Sequence, residues 1–220
     1  MSDNDVLNIG EKLRAARQKQ KLSLRELASR ADVSPSLLSQ IENGRANPSV
    51  MTLYNVAGAL NVPIVFFFPE SSDGDKTLVP QGHLIKSDKT PSELRTDAQG
   101  EFDHAVYHSE SPVIHPELRM AIELMGGVRW ERLTPKDEQD IQFLEIQYQP
   151  GASSGPAMSR HSGREFGLIL EGELKLELGF EQFKLTVGDS IVFDSTTPHR
   201  LSNEGPEMLR AIWVIMNRGG

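Results

Sequence analysis

Two periods run through this chain. Over the first 69 residues apolar side chains recur three and four positions apart, and beyond about residue 128 they alternate with polar ones. The first spacing builds amphipathic helices and the second half-buried strands. Ile9, Leu13 and Ala16 mark one face of a first helix, with Arg14 and Arg17 expected elsewhere on its surface. Ser23, with Glu26 three residues on, is a capping-box start for a short helix that turns Leu27, Ala28 and Ala31 inward. Ser34-Pro35 is a second start, a cap followed by proline at the first helical position. That helix runs to Ile41 and stops at Asn43-Gly44. A fourth begins after Pro48-Ser49 and carries Val50, Leu53, Val56, Ala57 and Leu60 inward. Pro63 opens a last turn ending near Pro69, in which Phe66, Phe67 and Phe68 read as packing residues.

The next stretch, "SSDGDKTLVPQG", is polar and poor in apolar residues, which makes it a linker. After it come the strand-like runs "VRWERLT", "FLEIQYQ", "GELKLEL", "FEQFKLTV" and "MLRAIWVIM". Pro150-Gly151, Gly188-Asp189 and Asn203-Glu204-Gly205 separate them as turns. Short strands at this spacing predict an all-β sandwich or barrel. Between Thr90 and Gly127 the pattern is irregular, with a short helix expected from Pro116 to Met125. His104 and His108 stand four apart there, but "GEFDHAVYHSESP" reads as loop or strand, which argues against a helical metal pair.

Composition adds exclusions. The chain has no cysteine, so disulfides and thiolate metal sites are ruled out. The start, "MSDNDVLNIGEKLRAAR", lacks the basic and apolar segments of a signal peptide. "VPIVFFFP" is far shorter than the roughly 20 residues of a membrane span. A cytoplasmic protein is expected, with no membrane partner. The net charge of −8 is unevenly divided: residues 1–69 hold eight Lys/Arg against six Asp/Glu, the remainder fifteen against twenty-five. A local basic footprint governs contact with a phosphate backbone more than the global sum does, and the split suggests two domains.

The second and third helices, joined by Ala31-Asp32-Val33-Ser34, have the spacing of a helix-turn-helix, with Val33 in the angle between them. In such a unit the second helix enters the major groove. Here it presents Ser34, Ser36, Ser39 and Gln40 between inward Leu37, Leu38 and Ile41. Gln bonds adenine bidentately and Ser bonds either base partner. Arg25, Asn43, Arg45 and Asn47 flank the helix and suit phosphate contacts. A helical bundle whose polar face is merely solvated is the alternative. The segments "LSLRELA", "VSPSLLSQIENGRANPS" and "TLYNVAGALNV", within about residues 7–69, resemble the DNA-binding domain of the phage lambda/434 repressor-like (XRE) family. Many members carry Gln where this chain has Leu24, which leaves Arg25 as the substitute phosphate contact.

Pro150-Gly151 is followed by Ser159, His161, Glu165 and Gly172, and further on by Gly188, His199 and Asn203; on these residues the stretch 128–217 resembles a cupin, a double-stranded β-helix barrel. After Pro150-Gly151, His161 occupies the second His position of the first cupin motif. Glu165 and Gly172 follow at the family's spacing, and Ser159 replaces the first His. In the second motif Gly188, His199 and Asn203 fall at the right distances, while Asp194 and Thr196 replace the usual Pro and Gly. Barrel closure would bring His161, Glu165 and His199 together. Two imidazoles and a carboxylate suit Zn, Fe, Mn or Ni with positions left open. Alternatively they line a pocket without metal, where Glu165 still needs a cation, from metal, Arg160, Arg164 or an ammonium group.

The two resemblances imply a two-domain architecture: an N-terminal all-α helix-turn-helix bundle (1–69), a linker (70–82), and a C-terminal all-β cupin (83–220) with an irregular extension at its start. They imply a transcriptional regulator, commonly a repressor, and not an enzyme. The polyamine-responsive repressors of this group show a similar His-x-x-x-Glu with the first His missing. That implies an organic effector, an amine or amino acid, bound by Ser159, His161, Glu165 and His199, with one divalent metal as an option. A homodimer through the cupin would place two recognition helices about 34 Å apart on a pseudo-palindromic double-stranded operator. A metal-dependent cupin oxygenase or isomerase with a DNA-binding appendage, and a constitutive DNA-binding dimer, are the competing expectations.

Overall fold

The computed structural model describes residues 3–69, 113–135, 138 and 140–216. The expected linker at 70–82 and the histidines 83, 104 and 108 lie outside the described residues. Four helices come first: α1 (Asp3–Lys19), α2 (Leu24–Arg30), α3 (Pro35–Glu42) and α4 (Val50–Leu60). A 3-10 turn, Ile64–Phe67, follows them. Three of the helices begin on a serine. Ser23, Ser34 and Ser49 each accept a hydrogen bond from the amide three residues on, at 3.2, 3.1 and 3.1 Å, and Glu26 returns the capping-box bond to the Ser23 amide at 2.7 Å. Each cap satisfies a donor that the first turn leaves without an intrahelical partner.

The inward faces are those the periodicity predicts. Ile9, Leu13, Leu27, Leu38, Ile41, Leu53 and Leu60 are buried together, and Phe67 and Phe68 close the bottom of the bundle. Leu24 and Leu37 are half-buried against the same core. Arg17 departs from the expected surface position. Its Nε and Nη2 donate to the two carboxylate oxygens of Glu42 at 2.6 and 2.8 Å, and that carboxylate is buried. The pair ties α1 to the end of α3. Helical spacing showed only that Arg17 lies off the apolar face, not that a carboxylate from another helix waits there.

Nine strands follow among the described residues: β1 (Ala121–Leu124), β2 (Val128–Arg132), β3 (Ile141–Tyr148), β4 (Arg164–Glu171), β5 (Leu174–Leu178), β6 (Glu181–Leu185), β7 (Ser190–Asp194), β8 (His199–Ser202) and β9 (Leu209–Met216). They form two antiparallel sheets, ordered β1-β2-β3-β9-β4-β7 and β6-β5-β8. This is the cupin arrangement, although the described sheets are not hydrogen-bonded into one closed ring. The segment leaving β3 lies against β8 through the bridges Ser153–Ser202 and Ser159–His199. Asn203 is fully buried and braces that end, donating to Tyr148 and Glu207 carbonyls at 2.8 and 2.7 Å.

The helix expected from Pro116 to Met125 is not formed. Only Pro116–Leu118 turns, as a 3-10 helix, and Ala121–Leu124 is a strand. Gly126 and Gly127, both left-handed at φ 82° and 83°, reverse the chain so that Ala121–Leu124 pairs with Val128–Glu131. A tight turn with a waiting partner strand overrides a weak helical pattern.

The helical and β regions share one apolar cluster. Among the described residues two backbone bonds cross between them, from the Met51 amide to the Ser154 carbonyl at 3.0 Å and from the Met125 amide to the Pro48 carbonyl at 2.9 Å. Met51 is in the first turn of α4, so a carbonyl of the β region satisfies one of that helix's open donors.

Candidate functional site

His161 precedes β4, Glu165 is on its inner face, and His199 opens β8. The backbone fixes both histidines. The His161 amide donates to the Ser195 carbonyl at 3.0 Å, and His199 exchanges two 2.9 Å bonds with Ser159. Each imidazole is oriented through Nδ1, which lies 3.1 Å from the Ser162 carbonyl for His161 and 2.9 Å from the Thr197 carbonyl for His199. A carbonyl only accepts, so both Nδ1 atoms carry hydrogen and both Nε2 atoms face the cavity.

There they meet Glu165. Its Oε1 lies 3.0 Å from Nε2 of His161 and 3.2 Å from Nε2 of His199, yet neither ring aims a well-aligned N–H at it. Its Oε2 accepts from Trp213 Nε1 at 2.7 Å. One ligand atom from each of the three residues lies within 4.8 Å of the others. Three atoms able to donate lone pairs thus converge on one point, held by a second layer of carbonyls and an indole. Such a set fits a divalent ion and leaves coordination positions open.

Charge agrees with geometry. Burial alone would push the Glu165 carboxyl up, but the two imidazoles beside it more than reverse this and hold it far below the usual range. Burial pushes His199 down, and Glu165 outweighs it, leaving this imidazole more basic than usual. Arg160 and Arg164 are exposed, and Arg164 lies over the Phe166 ring, so the expected arginine partners do not serve Glu165. Gly167 makes the arrangement possible. It pairs with Trp213 across β4 and β9, and an added Cβ would lie 2.1 Å from the indole ring.

The roof comes from elsewhere in the chain. Val50 and Tyr54, four apart on α4, line this cavity together with Ser159, His161, Glu165, His199 and Trp213. Tyr54 stacks on His161 with ring centres 4.1 Å apart and planes 4° from parallel. Its hydroxyl is buried with no hydrogen-bond partner among the described residues. Burial and the Glu165 charge push its pKa well above 10, so the phenol stays neutral. Sequence reasoning found the His-Glu-His set and Ser159 but not Trp213, Tyr54 or Val50. An indole N–H on the inward side of the apolar strand "MLRAIWVIM" needs a partner and was a usable signal. Nothing in α4 distinguished Tyr54.

The expected DNA-facing residues lie on the outer side of α2, α3 and the turn after them. Arg25, Ser34, Ser36, Gln40, Asn43 and Arg45 are exposed, and Ser39 and Asn47 are half-buried. Two have structural work as well: Ser34 caps α3, and Asn43 donates to the Ser39 carbonyl at 2.7 Å. Ser36, Gln40, Arg25 and Arg45 are the fully presented side chains. No described helix is long and apolar enough to cross a membrane.

Known proteins match both halves. Residues 13–67 match the helix-turn-helix family HTH_3 and residues 144–215 the cupin-domain family Cupin_2. The HTH-type transcriptional regulator SutR of Escherichia coli (strain K12) is 39% identical over 196 residues, covering 89% of this chain and 86% of that protein. The HTH-type transcriptional regulator PuuR of the same organism is 26% identical over 214 residues, 96% of each. The crystal structure of an HTH_3 family transcriptional regulator from Vibrio cholerae shares the fold, with a TM-score of 0.61 over 99% of this chain and 100% of that one at 20% identity. With its helix-turn-helix, its cupin and its SutR-like sequence, the chain belongs to the HTH-type transcriptional regulators that join an XRE-type DNA-binding domain to a cupin.

Proposed function

We propose that this regulator is a cytoplasmic repressor, with residues 1–69 as its DNA-binding head, 70–82 as a linker and 83–220 as its sensing and dimerising domain. Ser36, Ser39 and Gln40, with Ser34 at the helix start, read base edges. Arg25, Asn43, Arg45 and Asn47 hold phosphates. The observation that carries the sensing assignment is the buried Glu165 oxygen between two imidazole Nε2 atoms. That point calls for a cation, which a divalent metal (Zn, Fe, Mn or Ni) or the ammonium group of an amine or amino acid supplies. His161, Glu165 and His199 would hold the metal, and Ser159 completes the mouth.

The dimer is supported by an apolar outer face on the larger sheet. Ile141, Phe143, Phe166, Leu168, Val192 and Met216 are exposed on four neighbouring strands. A patch of this kind marks an association surface. A second copy seated there would set two heads on the two halves of a pseudo-palindromic operator.

A thermal-shift panel tests the pocket: the twenty amino acids, linear amines and Zn, Mn, Ni and Fe salts, before and after chelation. A ligand at a hundred times its Kd stabilises by about 2.7 kcal/mol, which for a chain of this size raises Tm by roughly 5–10 °C. Glu165→Ala should remove the shift, and a shift that survives it refutes the site. The competing reading, a metal-dependent cupin oxygenase or isomerase, draws on the same two-His-one-carboxylate set. Stoichiometric Fe(II) with turnover of a candidate substrate would establish it.

A further inference from the structure

The cavity under α4 measures about 20 Å3. That is room for about one water molecule or a bare ion. An amine or amino acid of several heavy atoms enters only if a wall moves. Trp130, Tyr148 and Trp213 stand on β2, β3 and β9, each hydrogen-bonded to a strand on either side, so these walls are fixed. The other wall is Val50 and Tyr54. Two backbone bonds between the described residues of the helical and β regions, the stack on His161 and the apolar cluster shared by the two regions hold this part of the chain in place. The buried Tyr54 hydroxyl bonds to no described residue, so leaving its seat breaks no hydrogen bond to any of them and returns the group to water.

We infer that Tyr54 is a removable wall of the effector pocket, and that an organic occupant of the His161–Glu165–His199 site unseats α4 and the DNA-reading helix from the cupin. The inference rests on the effector reading above and adds to it a wall and a route. The route is continuous. Leu53 and Leu60 of α4 share one core with Leu27, Leu38 and Ile41, and Arg17 pins α3 to α1 through Glu42. Packing of α1 on α3, α2 on α3 and α2 on α4 lets the head move as a unit when α4 moves, at the cost of the apolar contacts that join this cluster to the β region. A metal ion alone fits beneath the seated Tyr54, so ion and organic effector have different consequences. Because the organic ligand binds the unseated arrangement better, anything that holds the head down must weaken it reciprocally.

The absence of cysteine permits a direct test. A Cβ built on Gly155 lies 3.1 Å from the Met51 Cβ, close to the ~3.5–4.5 Å that a disulfide spans. The full-length M51C/G155C protein, oxidised, is compared with the unaltered protein by calorimetry. The probes are Zn(II), then imidazole on the Zn(II)-loaded protein, then any member of the panel that shifts Tm. The oxidised form should take Zn(II) as the unaltered protein does, the reduced dithiol being itself a zinc ligand, yet bind the organic probes at least about tenfold more weakly than the unaltered protein. Tyr54→Ala, which removes the wall without a staple, should bind them more tightly than the unaltered protein. Equal affinities in the oxidised form and the unaltered protein, or an unchanged affinity in Tyr54→Ala, overturn the inference and leave the pocket standing. If no organic probe binds the unaltered protein or Tyr54→Ala, the effector reading falls and takes the inference with it.

Discussion

The helical head and the cupin are held by interactions of different reach. Three helices of the head start on their own serines, each bonded to an amide three residues away. In the cupin, the Glu165 carboxylate is held by an indole 48 positions along the chain, and its imidazole neighbours come from two separate segments. Local interactions of the first kind fail singly and by small amounts. A site assembled across strands fails as a whole, since moving one member leaves the others buried and unsatisfied. The Arg17–Glu42 pair in the head is also long-range, its carboxylate is buried, and it should behave like the cupin site.

That pair gives the largest expected effect. Arg17→Met leaves the buried Glu42 carboxylate only the half-exposed Arg14, at 3.6 Å, and should cost about 3 kcal/mol in urea denaturation, with the double variant Arg17→Met/Glu42→Met recovering most of it. A loss below ~1 kcal/mol would put the pair among ordinary surface ion pairs. Next is Gly167→Ala, where the new methyl meets the Trp213 ring. It should cost about 1–3 kcal/mol and abolish the ligand-induced Tm shift together with it. Retention of that shift would mean the indole does not position Glu165.

Gln40→Ala should leave stability alone and weaken specific operator binding by about 1–3 kcal/mol, relaxing sequence preference. Arg45→Ala should weaken all sequences alike and flatten the salt dependence. If both variants behave identically in a binding titration across salt, the division between base and phosphate contacts is wrong. Ser49→Ala removes the α4 cap and should cost about 1 kcal/mol.

The smallest effect is in pH. His199 is more basic in the folded protein than the ordinary value of 6.5. Its pairing with Glu165 therefore stabilises the metal-free protein fully below pH 6.5 and is lost as pH rises through the raised value. After chelation, Tm should decline over that range in the unaltered protein and less steeply in His199→Gln. Parallel curves would show that His199 carries no such proton.

What was legible in the sequence follows the same division. Capping serines, helical faces, alternating strands and the His161–Glu165 spacing are short-range patterns. The hairpin at 121–132 was missed because its turn, Gly126-Gly127, acts only once β2 offers a partner. Arg17 was placed on the surface because periodicity reports the face a side chain leaves, not the group it meets. His199 was placed in the set by its motif, but its 3.2 Å approach to Glu165 is a property of two sheets facing each other.

By itself the sequence determined the two periods, the caps, the turn residues and the chemistry available: imidazoles, one well-placed carboxylate, no thiol. These depend on steric and hydrogen-bonding preferences over a few residues. Only the tertiary structure decided that Trp213 holds Glu165, that Gly167 gives it room, and that Tyr54 of the DNA-binding head covers the His161–Glu165–His199 cavity. His161 and Tyr54 are 107 positions apart, and no periodicity spans that distance. Packing brings them to 4.1 Å because α4 has one face for its own core and another for the cupin.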